Sequence, residues 1–474
     1  MVTNALSRGC KSHPLMAGLR HYRRPAARAL PSDSRAAVPT QGHLMENRSM
    51  ESPAAAPLLA NRDFRLLFGG SAISALGDQF TLVALPWLVL RLTGSPAALG
   101  LVLAAMALPR AIFMLIGGAM VDRLSARRIL LLARGVNAVL VALLAGLVLA
   151  GAVAMPAVYA IALGIGVATA FAYPAGSALL PQLVMPAQLA SANAFFMSVR
   201  QLSLFIGPAL AGLVIGAHAG HGAAEARGLG LAFTIDAASF LASLASLWLI
   251  RTAADARPGA AGRSVLADVA AGVRQVWADL PLRAFMLYAA VVTAFVGGPI
   301  QVGLPVLANS RLDLGAASLG ILMTANGGGM LVGGFLSRVI ARAVGGRLGV
   351  LVLCMDTLAG LALATLALVH STVHGALLLA GVGMLAGIAQ IAIVTWIQQR
   401  VPPAMMGRTM SLLMFTFMGI GPVSAAVAGS LLKVISLGAL FAGAGLVLSA
   451  IALGCLANPA LRGIGAARPD GAPA

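Results

Sequence analysis

The stretch Gly118-Ala119-Met120-Val121-Asp122-Arg123-Leu124-Ser125-Ala126-Arg127-Arg128 places four charges within seven residues, wedged between two long apolar runs. The chain is 59% hydrophobic and 10% charged, so a cluster this dense marks a loop leaving a membrane on the side where arginines are retained. Soluble globular chains carry roughly 25% charged and about 45–50% apolar residues; this one departs from both toward lipid. Working outward from the loop, apolar runs fall at 64–90, 97–121, 129–150, 156–180, 189–215 and 228–250, and again at 282–307, 316–340, 348–370, 374–397, 405–432 and 436–457. Each is long enough for a membrane helix of ~20 residues, and 55 glycines suit helices that pack closely in lipid.

The two sets of runs define the expected organisation. Residues 1–60, rich in Arg, Ala, Pro and Ser, read as a disordered arm, with Met45 and Met50 as alternative starts. Residues 61–250 form a first six-helix half and 282–457 a second, and 458–474 read as a disordered cytoplasmic tail. The linker 251–281 repeats Val265, Leu266, Val269, Val273, Val276, Trp277 and Leu280 at helical spacing, which predicts a short interfacial helix. An internal repeat supports two copies of one unit. Ala97-Ala98-Leu99-Gly100-Leu101 matches Ala317-Ser318-Leu319-Gly320-Ile321, and Gly207-Pro208 with Gly212 matches Gly421-Pro422 with Gly429. Short-loop arginines set the orientation. With the N-terminus inside, the inner loops hold thirteen, from Arg123, Arg127 and Arg128 to Arg400 and Arg408. The outer loops hold only Arg91, Arg227, Arg311 and Lys433. Both termini are therefore expected in the cytoplasm, with the protein multi-pass in the inner (cytoplasmic) membrane.

Composition and motifs argue against several other classes. The net charge of +18 resides in an N-terminal arm and at the ends of apolar runs, not on one basic face, so no nucleic-acid partner is expected. The only lysines, Lys11 and Lys433, lie in no phosphate-cradling G-x-x-x-x-G-K-[ST] loop. Cys10, Cys354 and Cys455 are too scattered for a disulfide framework or a metal knuckle. Neither H-E-x-x-H nor G-x-S-x-G occurs. No enzymatic activity, cofactor or metal is expected.

The spacing G-x-x-x-D-R followed by R-R resembles the loop between helices 2 and 3 of the major facilitator superfamily, over roughly residues 62–457. Ser125-Ala126 stand where that family's loop usually holds a glycine. Asn61, Phe64-Arg65, Gly77-Asp78, Leu85-Pro86, Pro109, Phe233, Asp236, Ser239-Phe240, Gly272, Arg274, Pro281 and Arg283 look like the drug-efflux branch that contains macrolide-efflux and enterobactin-exporter proteins. The resemblance implies an all-α integral membrane fold: twelve transmembrane helices in two pseudo-symmetric six-helix halves around a central cavity. It implies proton-coupled export of a small, partly apolar compound, such as a drug or siderophore, by a protein working as a monomer. Gly207, Pro208 and Gly212 are similar to the antiporter motif of helix 5. The family's gating loop maps onto Gly118, Asp122, Arg123, Arg127 and Arg128, which would rest against the start of the eleventh span at Gly407-Arg408 when the cavity faces outward. A lipid flippase or a non-transporting membrane sensor on the same scaffold is the alternative, since fold does not fix function.

Charges inside lipid are expensive and call for a partner and a role. At 1.5 Å per residue, Asp78 lies ~20 Å from Arg65 and Arg110 lies ~18 Å from Asp122, so they share a level and are candidates for an ion pair in the cavity. Arg200 and Asp236 reach a similar depth, about 21 Å and 22 Å from Pro186 and Arg251. Asp78, Arg110, Arg200 and Asp236 are thus the candidate proton-coupling or cavity charges, with Asp236 also a candidate for helix packing. Arg134 and Asp356, nearer the inner ends, are read as snorkelling or capping groups. Gln301, Asn326 and Gln390 are candidate substrate hydrogen-bonders.

Overall fold

Across the residues that the computed structural model describes, 57–123, 125–218, 220, 222–251 and 265–465, the regular structure is helical and no strand occurs; for 115–123, 265–271, 403–404 and 407 only the backbone is described. In chain order the helices are α1 (Arg62–Thr93), α2 (Pro96–Arg123), α3 (Ala126–Leu149), α4 (Met155–Leu183), α5 (Leu189–Gly216), α6 (Ala223–Trp248), α7 (Val265–Ala278), α8 (Leu280–Gly298), α9 (Leu304–Arg311), α10 (Ala316–Ala343), α11 (Leu348–Thr365), α12 (Thr372–Arg400), α13 (Pro403–Leu431), α14 (Leu437–Cys455) and α15 (Pro459–Arg462). Among the described residues, 12 segments are long and apolar enough to cross a membrane; α8 and α9 together make the one over Leu280–Arg311. The expected N-terminal arm, up to residue 56, lies outside the described residues.

Local chemistry sets where the helices start and stop. Asn61 caps α1 by accepting from the N–H groups of Asp63 (3.0 Å) and Phe64 (3.2 Å), and its amide donates to the Leu183 carbonyl at 2.7 Å. One side chain thus satisfies the start of α1 and the end of α4. At the opposite end Gly94, at φ 60°, closes α1 in the left-handed conformation that favours glycine. Ser371 and Ser436 cap α12 and α14. In the seventh span the Gly298 N–H donates to Ser424 Oγ of α13 at 2.8 Å, and that hydroxyl donates to the Ala294 carbonyl. The hydroxyl ties α13 to main-chain groups one turn apart on α8, and a π turn follows over Pro299–Gly303.

In the first half α1 packs on α5 and α6, α2 on α4, and α3 on α4 and α6; in the second, α10 packs on α12, α11 on α12 and α14, and α13 on α8. The halves meet along two long seams, α5 with α10 and α2 with α13. Both seams are backbone contacts. A Cβ on Gly212 would lie 2.9 Å from Gly320 Cα and 3.0 Å from the Ala316 carbonyl, and one on Gly100 would lie 2.6 Å from the Ala425 carbonyl. Gly429 meets Pro96 and Ala97 as Gly212 meets Ala316 and Ala317, so the repeated glycines are the seams. The Gly-Pro pairs do not superpose in the same register: Pro208 faces Gly320, whereas Ala425, one turn beyond Pro422, faces Gly100. The Trp87 ring adds a third closure, lying 3.3 Å from where a Cβ on Gly315 would stand, at the turn between α9 and α10. All three contacts are at the end opposite Arg127, Arg251 and Arg347, called here the far end.

The linker helix is α7. Val276 is buried with Leu282, Phe285 and Leu413, while Val273 and Trp277 point outward. Asp279 pins the corner, capping α8 at Leu282 N (3.1 Å) and holding Arg400 through two bonds of 2.8 and 3.0 Å. The tail expected to be disordered from residue 458 is ordered as far as 465. Asn458 caps α15, Leu461 and Ile464 are buried, and the Gly349 N–H donates to the Ile464 carbonyl at 2.9 Å. Two apolar side chains in an otherwise polar tail are enough to dock it.

A Leu at position 320 should force α5 from α10, an overpacking cost of about 1–3 kcal/mol. In a background without native cysteines, Ala316→Cys, 4% exposed in this structure, should react several-fold faster with an impermeant maleimide when Gly320→Leu is added. Gly146→Leu, whose Cβ would meet nothing within 4 Å, should leave the rate unchanged.

Candidate functional site

Asp78 projects from α1 on the side left open by its neighbours. Gly77 before it lies on Ser239 of α6, and Gln79 after it packs on Gly207 of α5. Asp78 is nevertheless exposed, although Arg62 is sixteen residues, or about 24 Å, away along the helix. Both seams lie on the far-end side of Asp78. Arg110 on α2 occupies the same level, one turn beyond Met106, whose main chain lies against Gly166 of α4. The expected Asp78–Arg110 ion pair is not formed: among the described residues neither side chain has a partner within ion-pair distance, and Arg110 Nε is buried without a hydrogen bond. The two charges act on each other through space, Asp78 with Arg134 and Arg110, and Arg110 with Asp78 and Arg200.

Arg200 is exposed on α5. It lies seven residues before Gly207, about two turns, and so shares the helix face that meets α1. Asp236, by contrast, is 1% exposed and fully engaged, accepting from Thr81 Oγ1 and, at 3.3 Å, from Ser239 Oγ. It ties α6 to α1. Arg134 does not snorkel to the surface as expected. It donates to Ser74 Oγ and lies over the Phe240 ring at 5.4 Å, because α1 and α6 offer it a hydroxyl and an aromatic face inside the half. The run Phe233, Asp236, Ser239, Phe240 is therefore the face of α6 that grips α1 and α3.

Other expected residues separate. Gly207, Pro208 and Gly212 sit at the crossing of α5 with α1 and α10. Arg127 caps α6, donating to the carbonyls of Leu247 (3.1 Å) and Trp248 (2.7 Å), which suits a cation at a helix C-terminus. The side chains of Gly118, Asp122, Arg123 and Gly407 lie outside the described residues. Arg408 donates to Met405 Sδ at 3.3 Å, and α7 covers this start of α13, with a Cβ on Gly272 falling 3.2 Å from Arg408 Cβ. Gln301 and Gln390 are exposed, while Asn326 bridges α10 to the Leu379 carbonyl of α12 at 3.4 Å. Among the described residues no cluster of three or more His, Cys, Asp or Glu could hold a metal. A groove of about 470 Å³ between α2 and α13, lined by Ala104, Leu108, Val423 and Val427, carries no charge and includes none of the candidate site residues.

Sequence reasoning missed two polar clusters. At the far end Glu225 on α6 pairs with Arg91 (2.6 Å) and accepts from Trp87 Nε1 (3.1 Å), holding the ring that closes on Gly315. An acid in the first turn of α6 was the available signal. In the second half Tyr288 donates to Asp356 at 2.7 Å, so Asp356 is a partnered group between α8 and α11, not a cap. Nothing in the spacing of the two residues announces that pair.

Residues 67–426 match the Major Facilitator Superfamily profile. The multidrug efflux pump Tap of Mycobacterium tuberculosis is 28% identical over 409 residues, covering 84% of this chain and 94% of that protein. The enterobactin exporter EntS of Salmonella typhimurium is 27% identical over 345 residues, covering 73% and 80%. These relatives match the drug-efflux resemblance. Among solved structures, the nucleoside transporter NupG superposes with TM-score 0.63 at 14% identity, covering 83% of this chain and 98% of that one. A bacterial homologue of the lysosomal transporter Spinster, inward-facing and unoccupied, superposes with TM-score 0.62 at 17% identity, covering 85% and 97%. These last two likenesses concern the fold alone. The chain belongs to the major facilitator superfamily and is a multi-pass membrane transporter.

Proposed function

We propose that the protein exports a small, partly apolar compound from the cytoplasm by alternating access, taking up protons in exchange. The observation that carries the reading is Asp78: a carboxylate without an ion-pair partner among the described residues, exposed midway along α1 in a bundle whose halves meet at the far end. Intramembrane carboxylates of this kind are costly and serve proton and substrate pathways. The likeness to the efflux pump Tap and the exporter EntS supports export, and the arginine asymmetry supports a cytoplasmic-membrane orientation with both termini inside. On this reading the cavity faces the cytoplasm, where loading occurs. On this reading the monomer is the working unit.

Asp78→Asn should abolish proton-driven efflux, lowering flux in energised vesicles by at least about tenfold as expected for loss of an essential proton site, while insertion and yield stay unchanged. Undiminished flux would move proton coupling away from Asp78. The loop Gly118–Arg128 offers a second test. Asp122 would dock at the start of α13 only when the cavity opens at the far end, where helix N-terminal N–H groups favour an anion. Cysteines at 122 and 407 should crosslink in the outward-facing form and separate in the inward-facing one; crosslinking indifferent to state would reduce the loop to a topology signal.

A further inference from the structure

We infer that Arg110 and Arg200 form an anion subsite in the cavity, and that the transported compound is an organic anion. The inference deepens the exporter reading and rests on it for the word transported. It starts from which charges are already committed. Arg134 is held by Ser74 and the Phe240 ring, and Asp236 by Thr81 and Ser239. The remaining acids with described side chains are placed elsewhere. Asp63 lies beside Arg62, Glu225 pairs with Arg91, Asp279 with Arg400 and Asp356 with Tyr288, while Asp313 sits in the far-end turn between α9 and α10. Asp122 and Asp268, described only by their backbone, belong to the arginine-rich end and the linker.

That leaves Asp78, which also feels the charge of Arg134, as the carboxylate facing two guanidinium groups that feel each other's charge. Arg110 Nε is buried and unbonded, and Arg200 is exposed on the face of α5 that meets α1, without a hydrogen-bond or ion-pair partner among the described residues. A cavity wall with surplus positive charge in a low-dielectric bundle attracts a carboxylate, sulfonate, phosphate or phenolate. The planar forks of two arginines recognise such groups through several N–H donors at once. Asp78 then acts as the competitor of the bound anion. An organic cation, drawn to Asp78, would have to approach two uncompensated arginines.

Two xanthene dyes separate these cases: fluorescein, an anion at pH 7.5, and rhodamine 6G, a cation, titrated against the purified full chain in detergent by fluorescence anisotropy. Fluorescein should bind at least about tenfold more tightly, and Arg110→Gln and Arg200→Gln should each weaken it by about tenfold, the equivalent of one lost charged contact. Arg110→Lys and Arg200→Lys, eluting as the native protein does, should retain most of the affinity. Asp78→Asn should tighten fluorescein binding, since it removes the competing negative charge. Preference for rhodamine 6G, equal binding of fluorescein by the native protein and the Gln variants, or weaker binding in Asp78→Asn would each overturn the subsite. Binding as expected without export of fluorescein from cells would contradict the exporter reading and leave the subsite standing. Proton-driven export of rhodamine 6G alone would do the reverse.

Discussion

The backbones of the two halves touch without side chains between them, at Gly212 against Gly320 and at Gly100 against Ala425. In lipid there is little hydrophobic gain from joining two apolar helices, so close approach of small residues supplies the attraction. Because the seams lie toward one end, they shut that end and leave the helices free to diverge at the other. The exposure of Asp78 follows, as does the position of Trp87 on Gly315. The Glu225–Arg91 pair steadies Trp87 from within its own half, so the third closure depends on a charged contact that the seams do not need.

Polar chemistry is distributed unequally between the halves. The first half carries Asp78, Arg110, Arg134, Arg200 and Asp236 within its spans, and two of these, Arg134 and Asp236, are consumed in fixing α1, α3 and α6 to one another. That fixed core gives Asp78 a rigid support on α1. The second half has exposed neutral amides at Gln301 and Gln390 and keeps its one carboxylate within the spans, Asp356, tied to Tyr288. Ser424 of α13 binds the main chain of the seventh span at Gly298, and a π turn follows there. The charge within the spans thus belongs mainly to the first half.

The sequence showed the spans, their pairing into copies and the depth of the charges, because these depend on apolar length and on helical rise. It also marked Gly212, Gly320, Gly100 and Gly429, through the repeat, without saying that they face one another. What it could not show was direction around each helix. Asp78 and Arg110 share a level, yet Asp78 turns to the open side of α1 between residues committed to α5 and α6, and the pair stays apart. Arg134 looked like an end-of-helix cation until Ser74 and Phe240, distant in sequence, were seen beside it. The ordered turn at 459–462 escaped notice because only Leu461 and Ile464 distinguish it from a polar tail.

The claim that the seams govern which end is open is tested most directly by distances across both ends of one protein. Spin-label pairs at Leu92 and Leu314, across the far end, and at Met185 and Arg342, across the arginine-rich end, report both in a background lacking Cys10, Cys354 and Cys455. Double electron–electron resonance in lipid nanodiscs should give a short, narrow distance at the far end under resting conditions. When protonation or ligand shifts the population, lengthening at the far end should be matched by shortening at the other. Two ends that change together, or a far end that stays fixed while the protein transports, would contradict the account.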